Sequence, residues 1–110
     1  MIFVTGPLFA GKREYIRKAL GLSEKALAAR AVWDVQELVC GADLSALAQA
    51  LAQKEIVIAT EIGGGLIPTD PAEREKREAA GRLACLLAER ADTVVRVSCG
   101  LGQILKGELP

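Results

Sequence analysis

Short apolar runs alternate with amphipathic stretches along this chain, and the change of period from two to about three and a half marks the elements. Ile2, Phe3, Val4 and Thr5 form a β-prone run, and residues 14–20 read as the helix that follows. Gly21 is placed to end that helix, because glycine accepts the left-handed conformation of a helix terminus, and Ser23 to cap a short second helix through Ala29. Ala31, Val32 and Trp33 make a brief strand ending at Asp34, after which Val35, Leu38 and Val39 fit either a helical turn or a continuation. Asp43 caps a helix whose apolar face, Leu44, Leu47, Ala48 and Leu51, recurs at helical spacing and is expected to pack on a sheet.

Residues 55–60 hold the run Ile56, Val57, Ile58 and Ala59 with no polar alternation, the pattern of a strand buried on both faces, and Glu61 lies just past its carboxyl end. A glycine turn at residues 63–65, closed by Pro68, leads to Asp70, Pro71 and Glu73 at the N-cap, N1 and N3 positions of a long helix. That helix opens almost wholly charged, whereas Ala80, Leu83, Ala84, Leu86 and Leu87 form an apolar face nearer its end, so it should start in solvent and finish on the core. A last strand spans residues 93–97, and the glycines and terminal proline of SCGLGQILKGELP predict a loop and a poorly ordered tail.

Strands alternating with helices imply an α/β fold, a small parallel sheet of about four strands with helices on both faces and right-handed crossovers. The 110 residues suit one domain over residues 1–110, half of them apolar. Two exposed sheet edges in so small a domain favour a homo-oligomer.

Charge narrows the partners. Fourteen basic and 14 acidic side chains cancel, so no global field draws the protein to nucleic acid or to an anionic membrane. No apolar run approaches the length of a membrane span and no signal segment opens the chain, which predicts a cytoplasmic protein. Cys40, Cys85 and Cys99 are odd in number and widely spaced, arguing for reduced, mostly buried thiols over disulfides or a zinc site. Histidine is absent, which excludes histidine general-base catalysis, histidine metal ligation and any phospho- or nucleotidyl-histidine intermediate in this chain.

The candidate chemistry begins between the first strand and the first helix. Gly6, Pro7, Leu8, Phe9, Ala10, Gly11 and Lys12 meet the phosphate-binding (P-loop, Walker A) pattern G-x-x-x-x-G-K-[ST], with Arg13 at the Ser/Thr position. In such a loop, backbone N–H groups curl around phosphate oxygens, the lysine neutralises the outer phosphates and the hydroxyl ligates magnesium. Arg13 carries charge but cannot ligate a cation. Either its guanidinium partly replaces magnesium at the phosphates, or magnesium-dependent function has decayed and Arg13 lies in solvent.

Ligands of open parallel sheets bind at the carboxyl ends of the strands, where Asp34 and Glu61 fall. Asp34 suits the second acidic motif of a P-loop protein, holding magnesium directly or through water, or else it caps the turn after it. Glu61 is placed to orient a magnesium-bound water or accept a proton from a substrate hydroxyl, unless it is a solvated loop carboxylate. Arg74, Lys76 and Arg77 either clamp phosphate or a substrate's polar edge, or form a solvated face neutralised by Glu73, Glu75 and Glu78. Trp33 is a core residue first and a base-stacking one second.

The stretch IATEIGGGLIPTDPAEREKREAAGRLACLLAERADTVVRVSCG carries Glu61, Gly63, Gly65, Pro68, Arg74, Arg77, Gly81, Leu87, Ala88, Ala91, Asp92 and Gly100 in ungapped register with a known pattern. It resembles the carboxyl-terminal half of the adenosylcobinamide kinase/adenosylcobinamide-phosphate guanylyltransferase family of cobalamin biosynthesis, and FVTGPLFAGKR is similar to that family's opening. The resemblance implies a P-loop fold like that of recombinase-type ATPases, with the Glu61 strand between the loop strand and the Asp34 strand. It further implies ATP- or GTP-dependent phosphorylation of the aminopropanol hydroxyl of a corrinoid, then guanylyl transfer, in a trimeric enzyme.

This chain departs from the family pattern at several points. The family is longer between the first helix and the acidic strand, and that missing segment carries the histidine guanylylated during transfer and reads the base. With no histidine here, guanylyl transfer by that mechanism is ruled out. Arg13 replaces the magnesium-ligating serine, Thr60 an asparagine, Lys76 an aromatic, and Ala84 with Cys85 an Asn-Gln pair. Two functions follow: a compact nucleotide-binding kinase acting on a cobinamide-like alcohol through Lys12, Glu61, Asp34, Arg74 and Arg77, or a non-catalytic phosphate-binding or assembly protein, dimeric or trimeric.

Overall fold

A computed structural model describes residues 1–62 and 70–110. Its elements follow the order β1 (Ile2–Gly6), α1 (Lys12–Leu20), α2 (Glu24–Arg30), β2 (Ala31–Val32), a 3-10 turn (Val35–Leu38), α3 (Leu44–Leu51), β3 (Ile56–Thr60), α4 (Pro71–Arg90), β4 (Thr93–Ser98) and β5 (Leu101–Lys106). The predicted glycine turn and Pro68 lie outside the described residues. The termini are set by local chemistry. Gly21 is left-handed at φ 65° after α1, Ser23 accepts from the Ala26 N–H, Asp43 from Ala46 and Asp70 from Ala72, with Pro71 opening α4.

The sheet order is β2-β3-β1-β4-β5, with β1 to β4 parallel and β5 antiparallel to β4. The Glu61 strand therefore lies between the loop strand and the Asp34 strand, as the family resemblance implies. Strand alternation divides the core in two. Phe3, Val57, Ala59 and Val94 face Leu83 and Leu87 of α4 and Ala48 and Leu51 of α3, whereas Val4, Ile56, Ile58, Val95 and Val97 face Ile16 of α1 and Leu27 of α2. α4 opens exposed and buries Ala80, Leu83 and Leu87, as its charge pattern predicts.

Two expectations are corrected. The predicted loop and tail after residue 97 is instead a hairpin: Cys99 (φ 54°) and Gly100 (φ 73°) turn the chain and β5 pairs from Ser98↔Leu101 to Val94↔Lys106. A two-residue hairpin turn of type I′ has positive φ at both central positions, and Cys-Gly supplies it without the usual Asn-Gly signature. The end of β5 is tied down, since Lys106 Nζ donates to the Ala88 and Glu89 carbonyls that end α4, at 3.1 and 3.0 Å, and Thr93 Oγ1 donates to the Glu108 carbonyl at 2.6 Å. The cysteines are all exposed, because Cys40 precedes α3, Cys85 lies on the outer side of α4 and Cys99 occupies the hairpin tip.

Candidate phosphate loop and its acidic flank

Gly6 ends β1 against β4 so closely that a Cβ there would fall 2.1 Å from the Val97 carbonyl oxygen. No side chain fits, which is the physical content of the first glycine in the motif. Phe9 sits left-handed at φ 58° and is 94% exposed, so the loop crest projects its apolar residues outward. Gly11 caps α1 at φ 84° with no side-chain hydrogen bond, leaving the first N–H groups of the helix unblocked by a cap.

Lys12 turns back under the loop. Its Nζ donates to the Gly6 carbonyl at 3.2 Å and the Pro7 carbonyl at 2.7 Å, and the residue is buried. Burial lowers its pKa, and attraction from Asp34 and Glu61 partly opposes that. The three residues drawn from distant parts of the sequence thus share one electrostatic neighbourhood.

Glu61 follows β3 and extends its ladder by donating its N–H to the Gly6 carbonyl at 2.9 Å. Its carboxylate is gripped by Arg96 of β4, Nε to one oxygen at 2.7 Å and Nη2 to the other at 3.0 Å. Asp34 stands left-handed at φ 52° at the start of the 3-10 turn and caps nothing with its side chain. Buried Gln36 donates to its carboxylate at 3.4 Å and accepts from the Thr60 N–H at 2.9 Å, so one amide joins the end of β3 to Asp34. Neither Arg96 nor Gln36 is found by motif reasoning. The available signals are a lone charge inside the apolar TVVRVS and a polar residue two positions after the acidic one.

Arg13 is exposed, with its guanidinium 5.1 Å from the Trp33 ring centroid, a cation–π distance. Trp33 is partly buried against the α1 side of the core. Arg74 is exposed in the first turn of α4 and Arg77 partly buried in the second, while Lys76 between them forms an ion pair with Glu37 of the 3-10 turn at 2.5 Å. A cavity of about 110 Å³ behind Glu61 is lined by Thr5, Gln36, Thr60, Leu83 and Ala84, whereas Cys85 faces away from it. Among the described residues, no group of three or more acidic, cysteine or histidine residues is spaced to hold a metal. Nor is any described helix long and apolar enough to cross a membrane.

The sheet order, with a glycine-lysine loop between β1 and α1, defines an α/β protein of P-loop topology. Within that class the match is specific: the family model described as cobinamide kinase / cobinamide phosphate guanyltransferase, CobU, covers residues 26–105, and the chain belongs to this family. It is thereby placed among nucleotide-using proteins of cobalamin biosynthesis. No curated protein matches the chain. The matched span includes Asp34, Glu61, Arg74 and Arg77 but begins after β1, the loop residues 6–13 and α1, so membership rests on the chain from α2 through β5.

Proposed function

We propose that the chain binds ATP or GTP by its phosphates at Gly6, Pro7, Leu8, Phe9, Ala10, Gly11 and Lys12, and that its chemistry is phosphoryl transfer to an alcohol of a cobinamide-like corrinoid. The observation that carries this reading is the placement of Lys12 beneath an uncapped helix N-terminus with Asp34 and Glu61 beside it. Lys12 exchanges its two carbonyl partners for phosphate oxygens, and the N–H groups of α1 complete the cradle. Glu61 accepts the proton of the attacking hydroxyl. Arg74 and Arg77 hold the polar edge of the substrate.

A magnesium ion fits only sparsely, because Arg13 offers no ligand and, among the described residues, no group of three carboxylate, cysteine or histidine ligands gathers around Asp34, so the remaining ligands would be phosphate and water. When bound, the ion neutralises charge on the transferred phosphoryl group. Guanylyl transfer through histidine is absent from this chain. The protein acts in the cytoplasm as a homo-oligomer, with no nucleic-acid or membrane partner; the exposed β5 edge supports assembly.

One observation favours a second, non-catalytic reading: both oxygens of Glu61 are already taken by Arg96. Calorimetric titration with ATP and GTP, with and without magnesium, tests the first reading, and radiolabel transfer to cobinamide separates the two. Absence of binding at about millimolar nucleotide, the weak limit for a specific site, removes the first.

A further inference from the structure

On the proposal that the loop holds a nucleotide by its phosphates, the two sides of β1 are not equivalent. Asp34 and Glu61 follow β2 and β3 on one side of β1, and the Gly6 carbonyl accepts from both the Glu61 N–H at 2.9 Å and Lys12 Nζ at 3.2 Å. The terminal phosphate has to lie where the acid, base and lysine converge. A nucleotide strung across the start of α1 must then send its nucleoside end to the other side, over β4.

A groove opens there. It has a volume of about 440 Å³ and is lined by Gly11, Glu14, Tyr15, Lys18, Ala19 and Gly100. That volume lies within the roughly 300–1,000 Å³ typical of small-molecule sites. It is continuous with the loop, because Gly11 is common to both and the Gly100 N–H donates to the Ala10 carbonyl at 2.8 Å. A Cβ on Gly11 would approach Gly100 Cα to 3.2 Å, so bare backbone forms the floor where the loop meets the hairpin turn.

Tyr15 supplies an aromatic wall. The hydroxyl end of its ring lies where a Cβ on Gly102 would be, 2.0 Å from the ring carbon that bears the oxygen, so β5 sets how the ring is held. At the rim Glu14 is engaged by Arg17 at 3.0 Å and by Lys18 at 4.0 Å. Of the charged side chains that line the groove itself, Glu14 and Lys18 oppose each other, and the rest of the lining is uncharged.

We infer that this groove between α1 and the β4–β5 turn takes the base and ribose of the nucleotide, with Tyr15 as the wall the base lies against. The assignment rests on the phosphate-loop reading and adds to it a base site built from residues 11–19 and the hairpin turn. It also gives the β4–β5 hairpin a role in binding.

The test is calorimetric titration of the intact chain with ATP, GTP and inorganic tripolyphosphate, repeated on Ala19→Trp. Ala19 is exposed on α1, so the indole fills the groove without touching the loop. The wild type should bind at least one nucleotide more tightly than tripolyphosphate. Ala19→Trp should weaken that nucleotide by about tenfold or more, the scale of a base–aromatic contact, and leave tripolyphosphate within about twofold. Ala19→Leu, a smaller obstruction in a good helix former, should act in the same direction and serves if the tryptophan variant does not fold. Equal wild-type affinity for nucleotide and tripolyphosphate, or nucleotide affinity unchanged by the folded variant, overturns the groove assignment while the phosphate loop stands. Failure of both ligand types to bind the wild type removes the phosphate-loop reading and the groove with it.

Discussion

Arg96 of β4 reaches across the end of β1 and holds both carboxylate oxygens of Glu61, through Nε at 2.7 Å and Nη2 at 3.0 Å. The planar guanidinium matches the carboxylate at two points, so it fixes orientation as well as charge. Both side chains remain partly exposed, and solvent screening keeps the energetic coupling small. In a double-mutant cycle of Glu61→Gln with Arg96→Leu, urea unfolding should show a weak favourable coupling that high salt diminishes. Zero coupling at low salt would mean that the fork does not restrain Glu61.

Lys12 makes a pH prediction. Burial lowers its pKa below the ordinary 10.5, against the opposing pull of Asp34 and Glu61. Between the lowered value and 10.5 the unfolded chain binds more protons than the folded one, so this group makes stability rise with pH in that window. Phosphate affinity runs the other way, because it needs the ammonium form. Titration of tripolyphosphate against pH should show affinity falling before the pH at which an ordinary lysine loses its proton, and Lys12→Met should lack that inflection. An affinity indifferent to Lys12→Met refutes the lysine contact.

Gly6 and Gly102 should respond differently to alanine. At Gly6 the new methyl meets a backbone carbonyl, Val97 O at 2.1 Å, at φ 154°. Neither partner can rotate away, and the cost should be about 3 kcal/mol. At Gly102 the obstacle is the far end of the Tyr15 ring, which swings aside at about 1 kcal/mol. Urea midpoints order the two variants, and the reverse order would refute the packing argument.

Gln36→Leu should destabilise the fold by about 2 kcal/mol, because the Thr60 N–H loses its 2.9 Å acceptor in a part-buried site. Gln36→Glu keeps an acceptor for that N–H but sets a second carboxylate beside Asp34, so its effect should grow with pH. Chemical denaturation at two pH values checks both.

Arg13→Ser restores a hydroxyl at the position that ligates magnesium in such loops. Removing the guanidinium from Trp33 should cost about 0.5–1 kcal/mol of stability, the scale of an exposed cation–π contact. Nucleotide binding that is indifferent to magnesium in the wild type should become magnesium-dependent in the variant. Unchanged dependence rules out charge replacement by Arg13.

Most elements were legible because their signals are local. Gly21, Ser23, Asp43 and Asp70 each act on N–H or carbonyl groups within a few residues, so short stretches suffice to locate the helix ends. The strand β5 was not legible, because Leu101, Gly102 and Gln103 carry no buried face and gain their place by pairing with β4. Cysteine burial was misjudged for a related reason: an average tendency of the residue type says nothing about a hairpin tip or an outer helix face.

From the candidate site, the linear pattern alone determined the glycine-lysine loop, the two carboxylates at strand ends and the absence of any histidine route. These depend on residue type and on position relative to a strand. Tertiary structure decided that Arg96 engages Glu61, that Gln36 links Asp34 to β3, and that a groove opens beside Tyr15. Arg96 and Glu61 are separated by 35 residues, and only the sheet order, with β1 between their strands, brings them within hydrogen-bond reach.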